Sequence, residues 1–201
     1  MLNLEKNFFK KRILIYGLGK SGLSTYSFLK KSNVISLFDD QIIIKKKIKD
    51  THTTYKEIIK KEFDCIIISP GIDIKKCKLS RFLKKNYKKI YTDLDIFYSR
   101  YAFNQKITIT GTNGKSTTAK LLYDILKDQK KDVRLVGNIG NPILLEKKIK
   151  KDTLFVIEAS SYQLEYSKLF KTNISIILNI TPDHLERHKT IKKYVSAKFK
   201  L

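Results

Sequence analysis

Thr108-Ile-Thr-Gly111-Thr-Asn-Gly114-Lys115-Ser116-Thr-Thr118 is the stretch on which the reading of this chain turns. A β-branched run enters a glycine turn and leaves it as a helical pattern that continues through Leu126. That order is the grammar of a nucleotide-phosphate cradle. Gly111 and Gly114 let the backbone aim N–H groups at an anion, Lys115 offers a point charge to the outer phosphates, and the Ser116 hydroxyl can reach Mg²⁺. The loop therefore points to ATP or GTP. It is shorter than the usual form, which carries a further glycine upstream of Gly114 where Ile109 and Thr110 stand here. Taken alone, the segment also fits a plain strand-to-helix turn.

The first half of the chain carries a second glycine turn. Arg12-Ile-Leu-Ile-Tyr16 reads as a strand, Gly17-Leu-Gly19-Lys-Ser-Gly22 as a turn into a helix ending near Lys31, and Val34-Ile-Ser-Leu-Phe38 as a strand ending in Asp39-Asp40. Strand, glycine turn, helix, strand and acid in this order form the dinucleotide-type arrangement. The alternative is that the glycines only permit close helix-to-strand packing. Residues 41–63 suggest a strand and a helix without clear limits. A buried strand at Asp64–Ile68 ends in Ser69-Pro70-Gly71, a basic helix is expected over 78–88, a short strand at 89–92, and a helical pattern over 93–104.

Downstream of the phosphate loop the helix should run to about 130. Strands are then expected at 132–136, 153–157 and 174–178, with the turn Gly137-Asn138-Ile-Gly140-Asn-Pro142 and a short helix after the first of them. Continuous apolar strands of this kind suit a parallel sheet covered on both faces. With the strand at 106–110, four strands end in polar residues, and in open α/β sheets such endings converge on a ligand crevice. The fold class is thus α/β. An N-terminal Rossmann-like parallel sheet domain, residues 1–93, precedes a P-loop-type α/β nucleotide-binding domain, residues 94–201, which the resemblance described below makes a truncated ATP-binding domain.

Composition narrows the classes. The 201 residues are 42% apolar and 30% charged, with a net charge of +23. That charge raises nucleic acid as a partner. However, the lysines are spread along the whole chain in doublets and triplets, and only Arg12, Arg81, Arg100, Arg134 and Arg187 supply the forked guanidinium that base and phosphate recognition favours. Solvated lysine faces are the better reading. Cys65 and Cys77 form no CxxC or disulfide framework, which fits a reduced cytoplasmic protein. No cleavable leader is evident, and no apolar run approaches the ~20 residues a membrane helix needs.

Among single residues, Glu158 closes an apolar strand, where a carboxylate can hold Mg²⁺ or simply start a helix. His184, in Thr-Pro-Asp-His, has a structural alternative. Lys198 does not stand out from its many neighbours, and His52 and His188 receive no role.

Read together, Gly-Leu-Gly-Lys-Ser-Gly-Leu-Ser (17–24), Ser-Pro-Gly-Ile (69–72), Thr-Gly-Thr-Asn-Gly-Lys-Ser-Thr (110–117), Gly-Asn-Ile-Gly-Asn-Pro (137–142), Glu-Ala-Ser-Ser-Tyr-Gln-Leu-Glu (158–165) and Asn-Ile-Thr-Pro-Asp-His-Leu-Glu-Arg-His (179–188) resemble the Mur ligases, in particular the D-glutamate-adding branch. The resemblance covers essentially the whole chain. It implies ATP-dependent amide formation in cytoplasmic peptidoglycan precursor synthesis, with UDP-N-acetylmuramoyl-L-alanine and D-glutamate as substrates and an acyl phosphate as intermediate. It places the phosphates on Gly111, Thr112, Asn113, Gly114, Lys115, Ser116 and Thr117. One Mg²⁺ falls to Ser116 and Glu158, and a second to His184 with Lys198 as its carbamate. Lys115, His184 and Lys198 are the implied catalytic residues. Asn138, Ser160 and Gln163 would touch the muramoyl-alanine part, while Lys20, Ser21, Asp39, Ser69, Pro70 and Gly71 would border uridine diphosphate. A monomer without a specific nucleic-acid or membrane partner is expected.

The family has three domains, whereas this chain stops three residues after Lys198. The resemblance implies that the C-terminal domain, which closes over ATP and binds D-glutamate, lies outside it, so that binding residues without turnover are expected, with an exposed sheet edge. Two other classes compete. A nicotinamide-dependent oxidoreductase would use 17–22 and Asp39 but leaves the phosphate loop idle. A basic nucleic-acid-binding module accounts for the charge alone.

Overall fold

Ile13, Leu14 and Ile15 do not alternate with polar residues, so the strand they form, β1 (Arg12–Tyr16), must be covered on both faces. The computed structural model, which describes residues 5–41 and 53–201, buries all three. Beside β1 lie β2 (Val34–Phe38), β3 (Cys65–Ile68) and β4 (Ile90–Tyr91), all parallel, in the order β2-β1-β3-β4. Ile13 stands opposite both Ile35 and Cys65, and Tyr16 opposite Phe38 and Ile68. The helix α1 (Lys20–Leu29) carries the chain from β1 to β2, after which it returns across β1 to build β3 on the other side. This reversal opens a crevice at the carboxyl ends of β1 and β3.

Two glycines make the crevice possible. Gly17 has a positive φ of 93°, and a Cβ on Gly22 would stand 1.8 Å from the Gly17 carbonyl oxygen. The start of α1 therefore packs backbone against backbone. Residues 42–52, which hold most of the lysine-isoleucine alternation and His52, lie outside the described residues. Beyond them α2 (Tyr55–Ile58) starts on a capping box between Thr54 and Glu57.

The basic helix expected over 78–88 is shorter: α3 (Ser80–Lys85), followed by a 3₁₀ turn at Tyr87–Lys89. Asn86 ends it, its side-chain amide donating to the Phe82 carbonyl at 3.0 Å and so competing with the ladder. The pattern over 93–104 gives α4 (Asp93–Arg100), which packs against α1 and the N-terminal 3₁₀ turn Glu5–Phe8. The chain divides into two compact units, Met1–Arg100 and Tyr101–Leu201, so α4 travels with the first unit although the sequence reading began the second domain at 94.

The second unit repeats the logic with a different strand order. β5 (Lys106–Thr110), α5 (Lys115–Asp128), β6 (Val133–Gly137), β7 (Leu154–Glu158) and β8 (Ile174–Ile177) form a parallel sheet in the order β6-β7-β5-β8. Ile109 and Val156 meet Ala119 of α5 and Val133 in the core, with Leu122 and Leu126 of α5 packed on them. The short helix expected after Pro142 is absent. Leu145 N–H closes a turn on the Pro142 carbonyl at 2.9 Å, and Lys148 has a φ of 54°. Lys147-Lys-Ile149-Lys-Lys151 offers one apolar position in five residues, too little for a helix face.

β8 is a terminal strand of this sheet, and Ile174 at its start is exposed. α6 (Ser161–Glu165), α7 (Leu185–His188) and α8 (Ile191–Lys198) complete the unit. The Lys106 amine is buried and donates to the carbonyls of Asn104 at 2.5 Å and Ala102 at 3.2 Å; burial brings it down to about 8. Among the described residues, no helix is long and apolar enough to cross a membrane.

Candidate functional site

The phosphate loop sits where the strand order places it, at the carboxyl end of β5 between β7 and β8. Gly111 and Gly114 both have positive φ, 152° and 81°, and Gly114 is the N-cap of α5. A fourteen-residue helix thus begins directly on the turn, with the N–H groups of its first turn and the positive end of its dipole at one point. Asn113, Ser116 and Thr117 are exposed there, and Thr112 is half-buried. The Lys115 amine donates to the Thr112 carbonyl at 2.7 Å, folded back over its own loop.

Asn179, in the segment after β8, shapes this loop. Its side-chain oxygen accepts from Asn113 N–H at 2.9 Å, its amide donates to the Asn113 carbonyl at 3.1 Å, and its own carbonyl accepts from Thr112 N–H at 3.0 Å. Thr112 adds a hydroxyl contact of 2.9 Å to Tyr194 and accepts from Thr181 N–H at 3.0 Å. The polar ending of this strand was visible in the sequence, but nothing there gave Asn179 its partner 66 residues upstream.

Glu158 ends β7 beside the loop and is 1% exposed. One carboxylate oxygen accepts from the Ser116 hydroxyl at 2.9 Å and the other from the Asn138 amide at 2.9 Å. Both donors are neutral, and among the described residues Glu158 forms no ion pair. A buried carboxylate facing a hydroxyl at a helix N-terminus suits a divalent cation, whose oxygen ligands would be Glu158 and Ser116 completed by phosphate oxygens. Gly137 allows Asn138 to approach, since a Cβ there would lie 2.3 Å from the Glu158 carbonyl oxygen. Among the described residues no group of three or more His, Cys, Asp or Glu stands ready to hold a metal by itself.

His184 is the N-cap of α7, with a φ of 53°. Its ring lies 4.7 Å from that of Tyr162 and 6.4 Å from that of Tyr194, and its nitrogens face Asp183 at 3.4 Å and Glu186 at 3.7 Å. His188 is buried and bonded to the Ser161 hydroxyl at 3.0 Å, a structural position, and burial lowers its pKa. Lys198 is 1% exposed in the last turn of α8. Its amine donates to the Gly111 carbonyl at 2.7 Å and lies 4.6 Å above the Tyr194 ring. Burial and the nearby Lys115 charge bring it down to about 8, against a smaller opposing pull from Asp183.

Ser160 and Gln163 have a local task that the sequence reading did not give them. They form the capping box of α6: Ser160 Oγ accepts from Gln163 N–H at 3.3 Å, and Gln163 Oε1 accepts from Ser160 N–H at 3.0 Å. The signal was present as Ser-x-x-Gln.

In the first unit a cavity of about 420 Å³ opens at the carboxyl ends of β1 and β3. It is lined by Lys20, Ser21, Asp39, Ser69, Pro70 and Gly71, all six residues singled out from the sequence, together with Asp40 and Gln41 among others. Asp39 organises the glycine turn: its two oxygens accept from Leu18 N–H at 2.6 Å and Gln41 N–H at 2.9 Å. Ser69 donates its hydroxyl to the Gly17 carbonyl at 2.7 Å, joining the two loops across the crevice. Asp40, not singled out from the sequence, accepts from the buried Tyr16 hydroxyl at 2.6 Å.

Comparison with known proteins finds relatives of both units. Residues 11–90 match the Mur ligase MurD-like N-terminal domain, and residues 109–201 the Mur ligase middle domain. The chain is 37% identical over 205 residues to a UDP-N-acetylmuramoylalanine--D-glutamate ligase of Caldicellulosiruptor bescii, covering 95% of the chain and 44% of that protein. It is 36% identical over 197 residues to the ligase of the same name from Rickettsia bellii, covering 96% and 43%. The chain thus spans less than half the length of these relatives. A solved UDP-N-acetylmuramate:L-alanyl-gamma-D-glutamyl-meso-diaminopimelate ligase from Neisseria meningitides aligns with a TM-score of 0.59 at 15% identity over 96% of this chain and 67% of its own, a likeness of fold.

Proposed function

Because the chain belongs to the Mur ligase family, we propose that it supplies the substrate-binding and ATP-binding parts of a cytoplasmic ligase that joins D-glutamate to UDP-N-acetylmuramoyl-L-alanine. The observation that carries the reading is the pairing of Ser116 with buried Glu158 at the N-terminus of α5. In the reaction, a carboxylate oxygen of the muramoyl-alanine substrate attacks the γ-phosphorus of ATP and ADP leaves. The amine of D-glutamate then attacks the acyl carbon and phosphate leaves. Both partners of the first step are anions, so the residues around them must lower their repulsion.

Backbone N–H groups of 114–117 at the start of α5 cradle the phosphates, those of Thr112 and Asn113 being held by Asn179 to shape the loop, and Lys115 leaves the Thr112 carbonyl to meet the outer ones. A Mg²⁺ held by Ser116 and Glu158 would neutralise phosphate charge. Asn138, by donating to Glu158, fixes the orientation of that carboxylate. Ser160 and Gln163 hold the first turn of α6 in place, which gives them an indirect part in shaping the muramoyl-alanine site. His184 and Lys198 flank the phosphate loop from α7 and α8. At its lowered pKa the Lys198 amine is neutral in part near physiological pH, the form that reacts with CO₂.

In the first unit, Lys20 and the turn 17–22 take the diphosphate, and Ser69 to Gly71 border the uridine. The nicotinamide reading leaves the phosphate loop and its Ser116–Glu158 pair without a task.

Glu158→Gln keeps the volume and removes the charge. Titration of ATP with and without Mg²⁺ should show wild-type affinity rising with the metal, and the variant losing about tenfold or more of that gain. Equal Mg²⁺ enhancement in both proteins would remove Glu158 from the metal site.

A further inference from the structure

Ser21 lines the first-unit cavity from the second position of α1, and its only proton is already committed. The hydroxyl donates to Oδ2 of Asp93, the first residue of α4, which is 4% exposed. The other Asp93 oxygen accepts from Leu94 N–H at 3.0 Å. A serine hydroxyl carries one donor and two lone pairs. While it donates inward, it turns only lone pairs toward the cavity, which also holds the carboxylates of Asp39 and Asp40. A diphosphate arriving there meets an acceptor facing an acceptor, with a buried negative charge beneath it.

We propose that binding of a nucleoside diphosphate in this cavity draws one proton from solvent onto Asp93, which reverses the Ser21–Asp93 hydrogen bond. The protonated carboxyl then donates to Ser21 Oγ, and the Ser21 hydroxyl is released to donate to a phosphate oxygen. No bond other than O–H is made or broken, and water or buffer supplies the proton. Asp93 is a positioning residue that acts through Ser21. The inference rests on the reading of the cavity as a nucleoside-diphosphate site.

The surroundings favour such an exchange. From α1 the group facing Asp93 is Ser21. From α4 it is Asp95, whose carboxylate accepts from Thr92 N–H at 2.9 Å and the Thr92 hydroxyl at 3.2 Å. The described side chains of the N-terminal 3₁₀ turn, Asn7 and Phe8, do not ionise. Burial raises the Asp93 carboxyl above its ordinary value and Asp95 adds to this, while the donations from Ser21 and Leu94 oppose it. A phosphate placed next to it pushes in the same direction as burial.

UDP-N-acetylglucosamine is the probe, since its diphosphate diester does not itself titrate between about pH 5.5 and 8.5. Calorimetric titration of the 201-residue chain in buffers of different ionisation enthalpy counts the protons taken up. Wild type should take up close to one proton at the alkaline end, with affinity falling by up to about tenfold per pH unit there. Asp93→Asn, whose amide can donate to Ser21 as the protonated acid does, should bind without proton uptake and keep its affinity across the range. Ser21→Ala should bind more weakly and lose most of the uptake. Binding by wild type with no uptake at any pH, or uptake unchanged in either variant, overturns the relay. Absence of binding at every pH overturns the reading of the cavity and the relay with it.

Discussion

Lys115→Met should weaken ATP binding by about 100-fold, the scale of one or two charge-assisted hydrogen bonds to phosphate. The structure explains why the loss should be confined to affinity. Lys115 is half-buried, and the hydrogen bond it makes is to the Thr112 carbonyl of its own loop. The loop's shape is held elsewhere, by Asn179 and Thr181 against Asn113 and Thr112. The variant should therefore keep its circular dichroism spectrum and its affinity for UDP-N-acetylglucosamine in the first unit. A second readout is available at Lys198. Part of what lowers its amine is the Lys115 charge, so its pKa should move up in the variant, measurable by NMR of the labelled lysine. Lys115→Arg should not restore full binding, because a planar fork cannot replace a point charge folded into so tight a turn. Unchanged ATP affinity in Lys115→Met would mean the loop is only a strand-to-helix connection.

Gly22→Ala should be the most damaging single methyl group in the first unit. Its Cβ would sit 1.8 Å from the Gly17 carbonyl oxygen and 3.1 Å from the Ser69 hydroxyl oxygen. Neither the helix start nor the glycine turn can yield alone, because Gly17 N–H is bonded to the Phe38 carbonyl and the Gly17 carbonyl to the Ser69 hydroxyl. The overlap should cost about 3 kcal/mol, the upper range for an overpacked site. Because the chain has two units, denaturant unfolding is not assumed to be two-state. The expected result is an early transition reported by amides of β1 and β3, with those of β5 and β7 unaffected. Gly19→Ala is the control, since nothing lies within 4 Å of a Cβ there. Equal midpoints for the two variants would contradict the close approach.

Much of the fold could be read from runs such as Ile13-Leu-Ile15 and Cys65-Ile-Ile-Ile68, because a strand covered on both faces leaves an uninterrupted apolar signature. The strand endings were legible for the same reason, since polarity returns abruptly at Gly17, Ser69, Gly111 and Glu158. Helices were less so. The segment after Pro142 buries Ile143 and Leu144 from a turn rather than a helix, because the lysine-rich run 147–151 offers no apolar face on which a helix could continue. Site residues divided along a similar line. Ser116 could be named from the glycine turn that opens α5, and Glu158 from its place at the end of β7. Ser160 and Gln163 came from the family resemblance, which carried their place in the motif but not their capping geometry. Asn179 and Asp93 were missed because their partners lie 66 and 72 residues away, and no local pattern reports a contact at that distance.

The two-site account stands most directly on what the first-unit cavity accepts. Separate calorimetric titrations of the 201-residue chain with UDP-N-acetylmuramoyl-L-alanine and with NADH decide it. The expected result is saturable binding of the uridine diphosphate substrate at one site per chain, weakened by Ser21→Ala, with no saturable binding of NADH. Tight binding of NADH without binding of UDP-N-acetylmuramoyl-L-alanine would contradict it.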